Sequence, residues 1–264
     1  MTPVRLSPLD ALIEAGVRVG ERRLALLRAC GLPLAATVLA SGASSLITGG
    51  AQVTLQLSSV ALLGLTSAQV QRVLSAGQPS AASPNSVSVR VWLRYLAWLL
   101  TLIIGVGIGV ATPLGWMAKR LWAEGEPSAL RLNVYLVAAF AIVVAGIYLS
   151  ARLCLVLPAV ALRRVEVLRL AWHYSRDNAA ALAVLLLLPE RLQALATHAL
   201  GEGVAGTLLS ALLEALAFVA IAALLSVAWS RLAEPPQQHE RLRSASPPAS
   251  PPASPPASPP ASPP

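Results

Sequence analysis

The run Val204-Ala-Gly-Thr-Leu-Leu-Ser-Ala-Leu-Leu-Glu214-Ala-Leu-Ala-Phe-Val-Ala-Ile-Ala-Ala-Leu-Leu-Ser-Val-Ala-Trp229 contains a single charged side chain, Glu214. A helix crossing the ~30 Å hydrocarbon core of a bilayer needs about 20 consecutive, mostly apolar residues. This stretch exceeds that length, so it reads as a transmembrane helix. Runs of the same kind lie upstream at residues 29–47, 51–70, 92–117 and 132–151. Trp92, Tyr95, Trp98, Trp116 and Trp122 gather near the ends of the third run, and such amphipathic rings favour the headgroup level. A shorter run, 179–188, stops at Pro189-Glu-Arg191. It spans only if the preceding helix contributes from about Ala171, with Pro189 then opening a separate surface helix at its first position. The fold class expected is all-α, a polytopic membrane bundle of six transmembrane helices with amphipathic surface helices.

Composition agrees. The chain has 264 residues, of which 56% are hydrophobic and 12% charged, with a mean hydropathy of +0.67. Soluble domains carry about 25% charged residues, so this chain has too little polar surface to cover a water-exposed globule. The formal charge of +8 does not point to nucleic acid, because the basic residues flank the apolar runs instead of collecting on one module. All basic residues but Lys119 are Arg. With abundant Ala, Gly and Pro, that bias suggests a GC-rich, bacterial genome. Cys30 and Cys154 sit in or beside apolar runs and read as small buried residues, not as a disulfide pair.

Charge bias orients the chain. With six spans and a cytoplasmic N-terminus, the cytoplasmic side holds the arginines at 5, 18, 22, 23, 28, 72, 90, 94, 152, 163, 164, 169, 176, 231, 241 and 243, while Lys119, Arg120, Arg131 and Arg191 lie opposite. That distribution follows the positive-inside rule and places both termini in the cytoplasm of the inner membrane. A cleaved signal peptide is the competing reading for 29–47, with small residues near Ala40 and Gly42 as its cleavage region. Its amino-terminal region is too long for that, and Leu9, Leu12, Ile13 and Val17 recur in it as on an amphipathic surface helix. Two parts are expected: a membrane domain over 1–232 and a disordered Pro/Ser/Ala-rich cytoplasmic tail over 233–264. The tail repeats Ser-Pro-Pro-Ala and includes PxxP spacing at Pro252 and Pro255. It reads as an inert polyproline spacer before it reads as a docking motif.

The candidate sites are few. Glu214 lies well inside an apolar helix, where a central acidic residue costs about 3 kcal/mol. A proton or cation relay normally shows several acids, so an interhelical hydrogen bond to Gln52 or Gln56 is preferred, with a transport site as the alternative. Arg152, at the end of the fourth run, is placed to snorkel or to hold a phosphate headgroup. Beyond it, Glu166, Arg169, His173 and Arg176 recur at steps of three and four, opposite Val165, Leu168 and Trp172. That pattern predicts a basic surface helix, with Arg163, Arg164, Arg169 and Arg176 suited to anionic lipid. Gly105 and Gly109 in the third run give small-xxx-small spacing, which predicts close packing within the bundle or between copies. His173, His198 and His239 lack partners at metal-ligand spacing. No phosphate-binding loop, nucleophile elbow or acid pair is present, so no catalytic residue, metal or cofactor is expected.

Tyr148-Leu-Ser-Ala-Arg152-Leu-Cys-Leu-Val-Leu-Pro158-Ala-Val-Ala161, followed by Ala171-Trp172 and Ser175-Arg-Asp-Asn178, resembles bacterial six-helix proteins related to the membrane domain found beside some glycerophosphodiester phosphodiesterases. The match covers residues 148–178; elsewhere only the hydropathy pattern is shared, and the short fifth run and the Pro-rich tail depart from it. The resemblance implies an envelope membrane protein. It carries over no catalysis, because the phosphodiesterase domain has no counterpart in these residues. The function expected is a non-catalytic inner-membrane scaffold or lipid-organising protein whose partners are membrane lipids and a second copy or another protein, with no nucleic acid. A small-molecule or lipid transporter using Glu214 is the alternative, and a lipid-modifying enzyme ranks last.

Overall fold

The computed structural model describes residues 5–44, 47–75, 88–123, 128–200 and 203–233. The Pro-rich tail from 234 and most of the Ser/Pro-rich loop after Ser75 lie outside them. The described residues form an all-α bundle: α1 (Pro8–Glu21), α2 (Arg23–Ser44), α3 (Gly50–Ser75), α4 (Val89–Trp122), α5 (Ala129–Leu153), α6 (Val156–Ala161), α7 (Val167–Ser175), α8 (Ala179–His198) and α9 (Val204–Ala233). Six segments, α2, α3, α4, α5 continuing through α6, α8 and α9, are long and apolar enough to cross a membrane. The protein is a multi-pass integral membrane protein. An even number of crossings puts α1 and the end of α9 on one side, here called the basal end, and the opposite side is the distal end.

The fifth crossing corrects the sequence reading. It starts at Ala179, after α7 has ended at Ser175, and runs unbroken to His198 with Pro189 buried inside it. Pro189 does not open a second helix. Twenty residues rise about 30 Å, enough to span, and Leu192 and Leu195 extend the apolar surface past the Glu190-Arg191 pair. In hydrocarbon a break would leave backbone groups with no partner at all, so proline is better tolerated inside a continuous helix there. Pro158 acts differently. It has no N–H to offer the carbonyl of Cys154, and that carbonyl instead accepts from Leu157 N–H at 3.2 Å. The regular α-helical ladder is interrupted at Cys154–Leu155, and α6 continues with every residue buried.

Packing is graded along the bundle axis. At the basal end Ala222–Ser230 of α9, most of Leu63–Ser75 of α3 and all of α6 are buried together with Tyr95 and Leu99 of α4. Polar side chains tie the helices there. Ser75 and Ser226 share a hydrogen bond at 3.2 Å, Gln71 Nε2 donates to Tyr95 Oη at 3.3 Å, and Trp92 Nε1 donates to the Ala61 carbonyl at 3.3 Å. Arg22 donates to the carbonyls of Val73 and, at 3.0 Å, Leu74, so a cation caps the carbonyl end of α3. Toward the distal end α4 and α5 expose most of their apolar residues, which in a bilayer face lipid.

The within-bundle half of the small-residue expectation for the third span is corrected, while packing between copies is left as an expectation. A Cβ at Gly105, Gly107 or Gly109 would meet nothing within 4 Å, so these glycines pack on no neighbour within the described chain. The close approach falls at Gly146 of α5, where a Cβ would stand 2.5 Å from Cγ2 of Val110 in α4. Valine is stiff at χ1 and cannot swing away. Gly146→Val is therefore expected to lower stability by about 1–3 kcal/mol in thermal unfolding of the detergent-solubilised protein, while Gly107→Ala leaves it near wild type. Equal effects of the two variants would refute this packing of α4 on α5.

The two surface helices share a design that hydrophobic periodicity alone does not reveal. In α1 the Ser7 hydroxyl caps the first turn and Pro8 opens it. Ala11 and Ala15 pack on the bundle, whereas Leu9, Ile13 and Val17 point away from it. Glu14 pairs with Arg18 and, at 2.6 Å, with Arg231 of α9. In α7 the bundle takes Val167, Ala171 and Ser175, the charged arc holds Arg169 and His173, and Leu168 and Trp172 are left facing outward. Each helix thus has a small-residue arc against protein and a large apolar arc free to enter lipid, the arrangement of an interfacial helix docked on a membrane bundle. Asn178, at the junction of α7 and α8, accepts from Leu6 N–H at 2.7 Å and ties the two surface helices together.

Candidate functional site

At the basal end the arginines predicted for lipid contact divide into two kinds. Arg163, Arg169 and Arg176 are exposed and Arg164 is half-buried. Arg163 donates to Ser88 Oγ at 3.4 Å and Arg169 pairs with Glu166 at 3.2 Å. These long side chains lie on the surface, and an exposed pair such as Arg169–Glu166 contributes about 0–1 kcal/mol. Arg152 is different. It is 4% exposed at the end of α5, under Trp172 of α7, whose ring centre lies 4.1 Å from its guanidinium carbon, and beside Tyr148 at 5.7 Å. Trp172 and Tyr148 are 47% and 51% exposed, so they form a cover between the cation and the outside.

No carboxylate pairs with Arg152 among the described residues, and its Nε–H has no hydrogen-bond partner. Cation–π contact with a desolvated guanidinium contributes about 2 kcal/mol, while taking an ion out of water costs several. The aromatic cover therefore offsets only part of the desolvation, and the site is deficient by one anion. The chain positions it through the turn between α6 and α7, where Arg163 (φ 58°) and Glu166 (φ 54°) take left-handed backbone and α7 returns to pack on the end of α5. The Ser175 hydroxyl then donates to the Arg152 carbonyl at 3.0 Å and pins the two helices. The aromatic partners were missed from sequence. Trp172 and Tyr148 are 24 residues apart, and only the return of α7 through the turn at Arg163–Glu166 puts both rings on one guanidinium. The visible signal was an Arg in the last turn of an apolar helix, one turn after a Tyr.

At the distal end Glu214 is exposed and lines an open cavity of about 400 Å³ between α2, α8 and α9. Gln52 and Gln56 do not line it, and among the described residues no hydrogen bond joins either to Glu214. The cavity wall is instead built from Ser41 and Ser44, Thr197, and Thr207 and Ser210. On α9 the positions Thr207, Ser210 and Glu214 recur at steps of three and four, so they form one polar stripe down the helix. That spacing was present in the sequence and is the signal that identifies Glu214's neighbours. The serines of α2 share one face by the same i, i+3 rule.

No protein-family model, curated protein or solved structure matches the chain.

Proposed function

We propose that this is a non-catalytic inner-membrane protein of bacteria that organises anionic lipid at the cytoplasmic face, with both termini in the cytoplasm. The observation that carries the reading is the buried Arg152 guanidinium, covered by Trp172 and Tyr148 and lacking a counter-anion. A lipid phosphate is the anion available at that level of a membrane. Arginine's planar fork engages phosphate oxygens through paired N–H donors, and rotation of either half-exposed ring uncovers it. Arg163, Arg169 and Arg176 then enrich acidic headgroups around the site as a surface. The outward apolar arcs of α1 and α7 seat both helices in the interface, where such headgroups lie. The basal end also holds most of the chain's arginine, which orients it toward the cytoplasm. Partners on this reading are membrane lipids, together with a second copy or another protein on the exposed faces.

The test is thermal unfolding of the full chain in neutral detergent, with phosphatidylglycerol or phosphatidylcholine added at equal load. A ligand that binds only the folded state raises its stability. Phosphatidylglycerol is expected to raise the midpoint while phosphatidylcholine leaves it nearly unchanged. Equal responses to the two lipids would sink the proposal.

A further inference from the structure

The distal cavity is unlike the basal site in sign. Among the described residues its lining includes no Lys, Arg or His, and its one charged group is the Glu214 carboxylate. Three of its five hydroxyls, those of Ser44, Thr197 and Thr207, already donate their protons to backbone carbonyls and so turn oxygen lone pairs to the cavity, while Ser41 and Ser210 are free to accept. Ser44 donates to the Ser41 carbonyl at 2.7 Å, Thr197 to Ala194 at 2.9 Å and Thr207 to Gly203 at 3.0 Å. The carboxyl ends of α2 and α8 open onto the cavity, against the amino end of α9 alone. Each helix end carries about half an elementary charge, so the backbone adds net negative potential to that of Glu214. The wall therefore accepts hydrogen bonds and favours a cation.

Size and shape narrow the cation. About 400 Å³ is far more than a bare ion fills and falls in the range of small-molecule pockets. Glu214 lies ten residues along α9 from Val204, about 15 Å along the helix from its distal end, so the lining runs as an open groove from Gly203 to Glu214. No aromatic side chain is among the described lining residues, which removes the cage that recognises quaternary ammonium. Hydroxyl and carboxylate oxygens instead match the three N–H donors of a primary ammonium. We propose that this cavity binds a primary ammonium group, with Glu214 as its counter-ion and Thr207 and Ser210 as acceptors above it. The ammonium group belongs either to a phospholipid headgroup entering from the membrane or to a free amine entering from the aqueous side. The site lies at the opposite end of the bundle from Arg152 and stands independently of the lipid reading given above.

Binding is tested on the full-length protein in neutral detergent, by calorimetry with ethanolamine and with choline, and by native mass spectrometry with phosphatidylethanolamine and with phosphatidylcholine. The primary-ammonium member of at least one pair is expected to bind. Glu214→Gln is expected to weaken that binding about tenfold or more, from loss of a charge-assisted hydrogen bond, with an unfolding midpoint no lower than wild type because Glu214 makes no hydrogen bond or ion pair among the described residues. Binding of ethanolamine identifies a free amine as the ligand, and binding of phosphatidylethanolamine alone identifies the lipid. Binding that ignores the Glu214→Gln change, equal binding of the primary and quaternary members, or no binding of any of the four overturns the proposal. Loss of phosphatidylglycerol selectivity leaves this result untouched, so failure here and failure at Arg152 are separately visible.

Discussion

Trp229→Ala is expected to lower the stability of the solubilised protein by about 3–5 kcal/mol, the usual result of emptying a large buried aromatic site. Trp229 is 1% exposed near the end of α9 and meets Tyr174 of α7 edge to face at 5.8 Å between ring centres. It belongs to the same buried cluster as Leu155, Val156 and Val160 around α6 and Leu182 of α8. Its removal opens a cavity where α6, α7, α8 and α9 converge, and the small residues nearby cannot expand to fill it. Trp229→Phe should cost much less. It keeps most of the ring and removes a buried Nε1–H that has no hydrogen-bond partner among the described residues, so part of the lost packing is offset by relief of an unsatisfied donor. Unfolding titrations of the two variants give the comparison. A change below about 1 kcal/mol for the alanine variant would mean that α9 does not end against α7.

Arg152→Met is expected to move stability and lipid response in opposite directions. In neutral detergent without anionic lipid the variant should be more stable than wild type by about 1–4 kcal/mol, the gain seen when buried ionic groups give way to apolar residues of similar volume. The methionine also keeps contact with Trp172 and Tyr148. With phosphatidylglycerol the wild-type midpoint should rise and that of the variant should stay in place. Arg152→Lys retains the charge but loses the planar fork and its stacking on Trp172, so its phosphatidylglycerol response should be intermediate. This pattern separates a binding residue from a structural one. If Arg152→Met instead lowered stability by several kcal/mol, the guanidinium would have a protein partner in solution and the lipid assignment would fail.

The contrast between α1 and α7 on one hand and the long helices on the other shows how far the sequence can be read. The all-α class, the approximate ends of the other long spans, the amphipathic character of both surface helices and the bias of Arg toward one end all follow from one comparison, apolar residue against polar, along the chain. That comparison is made by water and lipid, and it depends on local composition. It therefore also placed Glu214 within a span and Arg152 at the end of one. It did not resolve the fifth crossing, where a ten-residue run before Pro189 is lengthened by Leu192 and Leu195 within the same helix.

Which side of each helix meets protein was decided only by the tertiary structure. Lipid solvates Leu9, Ile13, Val17 and Leu168 as well as a protein interior does, so hydrophobicity no longer marks the core face. Close approach of backbones does, and it selects Ala11, Ala15, Ala171 and Gly146. The Gly105 and Gly109 pair had the right spacing but no facing helix within the described chain. Both candidate sites depend on the same kind of long-range placement. The turn between α6 and α7 brings Trp172 over Arg152, and the meeting of α2, α8 and α9 turns Ser44, Thr197 and Glu214 into one wall. Local sequence thus determined what enters the membrane, and shape complementarity between distant segments determined which polar groups inside it meet.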